Sequence, residues 1–206
     1  KKCKVIVVAC NTASSIAIKN IKQKVRKECV IFNVIDPVIE HLKSLKRKKI
    51  GIIGTNATIN SQVYEKKITE LNSEISVFSL ATPLLAPMIE SGFHDASIKK
   101  KIIATYLNHE NLKNIETLIL GCTHYPLIEL EINEFYKNKI PVLSSLNSIG
   151  LYIRKKLTKN NLLNKTQNVK SHEFFVSDCT TSFQKSAKSF FNNDINLKEI
   201  HIFNEK

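Results

Sequence analysis

Cysteine is scarce in this 206-residue sequence: five residues, scattered, with no Cys-x-x-Cys pair. That excludes a disulfide-stapled secreted scaffold and points to a reducing cytoplasm. Long apolar runs are missing as well. The longest, Lys4 to Cys10 and Val77 to Ile89, fall short of the roughly 20 residues that span a bilayer, so no membrane helix is expected. The opening residues carry no signal-peptide pattern. Neither a dinucleotide-binding glycine motif nor a phosphate loop is present, and nothing calls for a nucleotide, metal or other cofactor. Low-complexity tracts and short-period repeats are absent too.

Arginine is equally scarce. Of 31 basic residues 28 are lysine, against 18 acidic ones, which leaves a net charge of +13. The same chain holds 20 Asn, so the excess reads as a Lys/Asn bias of composition rather than as a nucleic-acid surface. Its densest run, Lys43 to Lys49, precedes a strand at Ile50, where cations suit a helix C-terminus. Neither nucleic acid nor membrane is expected as a partner. A hydrophobic content of 43% rules out a disordered chain and fits a globular one of one or two domains.

What is present is an alternation of strand-length apolar runs with helix-period stretches, the signature of an α/β protein with mainly parallel sheets. Candidate strands are 4–9, 30–35, 50–54, 75–80, 117–121, 140–143, 172–177 and 199–203. Helical stripes run through Ala13, Ala17, Ile21 and Val25, through Ile98, Ile102 and Tyr106, through Ile149, Ile153 and Leu157, and through Phe183, Ala187, Phe190 and Phe191. Composition changes near residues 37 and 146 divide the chain into a discontinuous first α/β domain, 1–36 plus 147–206, and a second, 37–146.

Two segments repeat one layout. Val5-Ile6-Val7-Val8-Ala9-Cys10-Asn11-Thr12 and Thr117-Leu118-Ile119-Leu120-Gly121-Cys122-Thr123-His124 each run from an apolar strand through a small residue to Cys and polar donors, then into a helix. In parallel sheets ligands gather at such strand ends. Asn11 and Thr12 are good N-cap residues, and Pro126 suits the first turn of a helix beginning near Leu127. A helix N-terminus binds carboxylates and lowers a thiol's pKa, which would make both cysteines reactive. Either Cys alone would be read as a small core residue, and Cys3, Cys29 and Cys179 are so read. The repetition favours chemistry. Two thiols facing one another could remove a proton from one face of a carbon and deliver one to the other.

Ala9-Cys10-Asn11-Thr12-Ala13-Ser14 and Gly121-Cys122-Thr123-His124-Tyr125-Pro126-Leu127 resemble the two signature motifs of glutamate racemase. The resemblance extends to Gly51-Ile52-Ile53-Gly54-Thr55-Asn56-Ala57-Thr58-Ile59, to Pro83-Leu84-Leu85-Ala86-Pro87-Met88-Ile89-Glu90 and to a C-terminal strand, helix and strand, covering nearly the whole chain. It implies a cofactor-independent enzyme interconverting L- and D-glutamate for peptidoglycan, with two similar α/β domains and the active site in the cleft between them. Cys10 and Cys122 would be the paired acid and base, with His124 and Glu90 assisting Cys122. Asn11, Thr12, Thr55, Thr58 and Thr123 would bind the substrate. Dimers are common in the family, which leaves a homodimer open here.

Members of the family normally begin with a strand and an Asp-Ser-Gly loop, followed by a Pro-Tyr-Gly segment, none of which is in this sequence. The first residue is not Met and a buried-strand pattern follows at once, which predicts that an N-terminal segment precedes it. Where many members carry an acidic residue after the strand near 143, this chain has Ser144-Ser145-Leu146-Asn147. Read from residues alone, His124 could be an ordinary helix-start histidine, Glu90 a solvated helix end, and Thr55 and Thr58 turn and cap residues. An aspartate or hydantoin racemase, a truncated chain that only binds a ligand or partner, and a thiol hydrolase stay open as alternatives. A metal site of Cys10, Cys122 and His124 would have three ligands at most.

Overall fold

Strand and helix alternate along the chain as the spacing of its apolar runs predicts. The computed structural model describes residues 3–92, 95–164, 172–191 and 195–201. In order, the first half holds β1 (Val5–Val8), α1 (Asn11–Ile16), α2 (Ile18–Lys24), β2 (Val30–Asn33), α3 (Asp36–Leu42), β3 (Lys49–Gly54), α4 (Asn56–Asn60), α5 (Val63–Leu71), β4 (Ser76–Ala81) and α6 (Leu85–Glu90). The second holds α7 (Ala96–Leu107), β5 (Thr117–Gly121), α8 (Glu129–Phe135), β6 (Val142–Leu143), α9 (Leu146–Lys159), β7 (Phe174–Val176), α10 (Thr181–Phe191) and β8 (Leu197–Glu199). Among the described residues no helix is long and apolar enough to cross a membrane.

Among the described residues all pairings are parallel: a four-stranded sheet in the order β4-β3-β5-β6, and two-stranded sheets β1-β2 and β7-β8. Side chains alternate across a strand, so the buried runs of β3 and β5 must be apolar on both faces. Ile50 and Ile52, with Ile119 opposite Ile52, pack with Val38 of α3 and Tyr64 and Ile68 of α5. Ile53, with Leu120 opposite it, and Leu118 pack on the other face with Leu85 of α6 and Ile103 and Leu107 of α7. Both faces of the central sheet are covered, which fixes the positions of its strand ends.

Several sequence expectations shift in detail. The stripe from Ala13 to Val25 is two helices rather than one, broken at Ala17. Ser14 and Ser15 return their hydroxyls to the carbonyls of Val8 and Thr12, and such local bonds compete with the helical ladder. The helix expected near Leu127 opens earlier, as a 3-10 turn over Tyr125–Ile128 that carries Pro126 in its first turn, and α8 proper starts at Glu129. On α7, Ile103 and Leu107 are the deeply buried residues, Ile102 and Tyr106 pack at the core's margin, and Ile98 is largely exposed.

The last strand lies at 197–199 rather than 199–203. Its register to β7 runs from Phe174↔Leu197 to Val176↔Glu199, so the ladder ends with its short partner, closed by the Ile200 amide donating to the Val176 carbonyl at 2.8 Å. Residues 202 and 203 of the expected strand lie outside the described residues. The stripe on α10 has Ala187 buried but Phe183 and Phe191 about half exposed.

Candidate active site

Three strand ends converge. β1 delivers Cys10, β3 delivers Thr55 and β5 delivers Cys122, each followed by a helical turn. Gly54 and Gly121 are register partners at the ends of β3 and β5. A Cβ on Gly121 would lie 2.9 Å from the Ile53 carbonyl oxygen, so glycine is what lets these ends approach.

Cys10 itself occupies the N-cap position of α1, with extended backbone and no side-chain cap. Asn11 and Thr12 therefore do not cap the helix. They are its first residues, and their side chains reach across to the four-stranded unit. Asn11 is 2% exposed, and its Oδ1 accepts from the Tyr64 hydroxyl at 2.7 Å. The Thr12 hydroxyl lies 2.8 Å from that of Thr55 and 3.2 Å from that of Thr58, which are 3.0 Å from each other. Thr55 also caps α4 by accepting from the Thr58 amide. Three expected binding residues, Thr12, Thr55 and Thr58, thus form one hydroxyl seam between α1 and the turn after β3, with Thr55 serving the helix at the same time, while Asn11 is bonded to α5.

Around the second thiol, Cys122 Sγ faces His124 Nδ1 at 3.6 Å, and His124 Nε2 lies 2.9 Å from Glu90 Oε1 at the end of α6. Burial pushes the Cys122 thiol above its ordinary pKa. Backbone N–H groups of His124 and Tyr125 pull the other way, and negative charge on nearby Cys10 and Glu90 adds to the rise. This corrects the expectation that a helix start lowers it: desolvation outweighs the backbone donors. Cys10, in contrast, is exposed.

Thr123 is exposed. With Pro126 it lines a groove of about 270 Å³ whose other walls include Val7 and Ala9 next to Cys10 and Ile149 of α9. His124 and Glu90 line a second groove, of about 760 Å³, shared with Phe174, Phe183 and Leu197. Among the described residues no cluster of His, Cys, Asp and Glu could hold a metal ion.

Two contributors were missed by sequence reading. Thr82, fully buried at the end of β4, bonds the Gly54 carbonyl and meets the Tyr125 hydroxyl at 2.7 Å, tying the turn that follows Cys122 to the end of β3. Tyr64 is the other. A buried threonine just before Pro83 was the only signal for the first, and Tyr64 reads as one more apolar position of α5.

The family model for Asp/Glu/Hydantoin racemase matches residues 1–149. A glutamate racemase of Listeria monocytogenes serotype 4a is 35% identical over 190 residues, which is 92% of this chain and 71% of that protein. The chain belongs to the glutamate racemase family. Membership makes it an isomerase of the amino-acid racemase type. Among solved glutamate racemases, the RacE1 isoform of Bacillus anthracis superposes with a TM-score of 0.89 at 31% identity, covering 97% of this chain and 74% of that one. The glutamate racemase of Francisella tularensis, solved with D-glutamate, gives 0.85 at 34% identity, covering 96% and 73%. The two-domain α/β architecture of the glutamate racemase family is therefore this chain's architecture as well.

Proposed function

We propose that this chain interconverts L- and D-glutamate without a cofactor, by proton transfer between Cys10 and Cys122 on opposite faces of the substrate's α-carbon. One sulfur, as thiolate, takes the α-proton. The electron pair left on carbon spreads into the adjacent carboxylate, and the other thiol gives its proton to the opposite face, so the two sulfurs exchange protonation states. Burial keeps Cys122 protonated, which suits it as the donor when Cys10 is the base. His124, held by Glu90, would move protons to and from Cys122. Asn11, Thr12, Thr55, Thr58 and Thr123 would bind the substrate's carboxylates and amine.

One observation carries this reading: two thiols, each just past the end of a parallel strand and ahead of a helical turn, lie close enough for charge on Cys10 to disfavour ionisation of Cys122. The domains of this reading are 1–36 with 147–206, which holds β1, β2, β7 and β8, and 37–146, which holds β3 to β6; α3 starts at the boundary. The five free cysteines fit a reducing cytoplasm, and bacterial relatives fit a product destined for peptidoglycan. A homodimer is compatible with it.

The test is incubation of the purified chain with either glutamate enantiomer in heavy water, free of pyridoxal phosphate and treated with chelator. Loss of optical rotation together with deuterium at the α-carbon is the expected result. Racemisation that disappears with the chelator, or that is faster with aspartate, would overturn the assignment.

A further inference from the structure

Asn11 is one of the most deeply buried polar side chains in the molecule, yet only half of its amide is engaged. Its Oδ1 accepts from the Tyr64 hydroxyl at 2.7 Å, while its Nδ2 is buried and has no partner. A buried donor left unpaired is costly unless something arrives to take it. Tyr64 lies in the first turn of α5 and is itself 1% exposed. Its ring packs against the backbone just ahead of the second thiol: Cε2 would be 3.5 Å from a Cβ on Gly121. One side chain therefore touches both the residue after Cys10 and the residue before Cys122.

We propose that Tyr64 is a positioning residue for substrate binding: it occupies Asn11 Oδ1, so that the amide can present only its Nδ2 donor, to a carboxylate of the substrate. The ligand class follows from the chemistry. A fixed N–H donor with its own oxygen turned away selects an anionic acceptor and rejects a donor group at the same place. The hydroxyl keeps its proton because burial disfavours the phenolate, so it has a proton to donate to Oδ1, as it does here. A free Asn would sample both amide orientations, and the wrong one would turn oxygen lone pairs towards the anion. The inference rests on the racemase reading for its ligand, and on the Tyr64–Asn11 geometry for its mechanism.

Tyr64→Phe removes the hydroxyl and keeps the ring against Gly121. Binding of D-glutamate to the 206-residue chain, measured by titration calorimetry, should weaken about tenfold, while kcat for whatever is bound changes less than KM does. Tyr64 acts through Asn11, so the effects must not add: Asn11→Ala/Tyr64→Phe should bind no more weakly than Asn11→Ala alone. A general packing role would give additive losses. Should Tyr64→Phe not fold, Asn11→Asp supplies the second test, since it keeps an acceptor for Tyr64 and replaces only the donor; that chain should fold and lose binding. Unchanged affinity in Tyr64→Phe, additive effects in the double variant, or undiminished binding by Asn11→Asp would each overturn the assignment alone. Failure of the unsubstituted chain to bind glutamate would overturn both it and the reading it rests on.

Discussion

His124 and Glu90 meet at 2.9 Å across the space between the turn after β5 and the last residue of α6, and the opposite ring nitrogen of His124 faces the Cys122 thiol. Their side chains are 35% and 62% exposed, so solvent screens the pair and it contributes at most about 1 kcal/mol to stability. Its value to the molecule is orientation. Holding Nε2 on a carboxylate fixes the ring so that Nδ1 addresses the sulfur. Glu90→Gln should leave the melting temperature almost unchanged and lower kcat/KM about tenfold or more. The loss must be equal for both enantiomers, since the equilibrium constant of a racemisation is one. A circular-dichroism assay run from each side checks both statements.

A second prediction concerns alkaline stability. The folded Cys122 thiol titrates above its ordinary range, chiefly through burial, so between the unfolded and folded values the native state holds a proton that the unfolded chain has released. Its contribution is fully present below the unfolded thiol's pKa of about 8.5. It is lost as pH rises from there through the folded value. Urea unfolding at a series of pH values from neutrality to mildly alkaline should show stability declining more steeply in the parent than in Cys122→Ser. Parallel curves would mean that the thiol is not desolvated.

Cys10→Ser and Cys122→Ser should each abolish racemisation, because a hydroxyl with a far higher pKa cannot complete a two-thiol relay. Cys3→Ser and Cys29→Ser should retain nearly parental turnover; Cys3 is exposed, and Cys29 makes only a weak bond to its neighbour's carbonyl. Turnover near the parental value in either of the first two variants would return that residue to a packing role.

Much of this architecture is legible in the sequence because buried parallel strands are apolar on both faces. Ile50 to Ile53 and Leu118 to Leu120 announce themselves regardless of register. At the margin, where a strand is three residues long and set by its partner, Leu197-Lys198-Glu199 forms the ladder and the more apolar Ile200 adds one last bond from its amide to the Val176 carbonyl. The thiols, His124 and Glu90 are legible as motif residues, and the geometry that joins them is not. Sequence marks Asn11 and Thr12 as cap formers, whereas Cys10 takes the cap and frees both side chains to cross to Tyr64, Thr55 and Thr58. Thr82 and Tyr64 escape notice because a single polar atom on a core residue does not disturb any periodicity.

The last prediction sets the same substitution at two glycines against each other. At Gly121 a new Cβ would stand 2.9 Å from the Ile53 carbonyl oxygen, which belongs to the adjacent strand and cannot swing aside as a flexible side chain would. The end of β5 must move instead, at a cost of about 1 to 3 kcal/mol. Cys122 moves with it, and a misplacement on the order of 1 Å can lower turnover about a hundredfold. At Gly150, within α9, a new Cβ meets nothing within 4 Å. There the only sizeable term is helix propensity, which favours Ala over Gly by about 1 kcal/mol. Gly121→Ala should therefore melt several degrees below the parent with racemisation nearly lost, while Gly150→Ala should melt at or above it. Thermal unfolding of the two variants beside the parent checks the pair, and equal shifts in the same direction would show that the strand ends at Gly54 and Gly121 do not approach as closely as described.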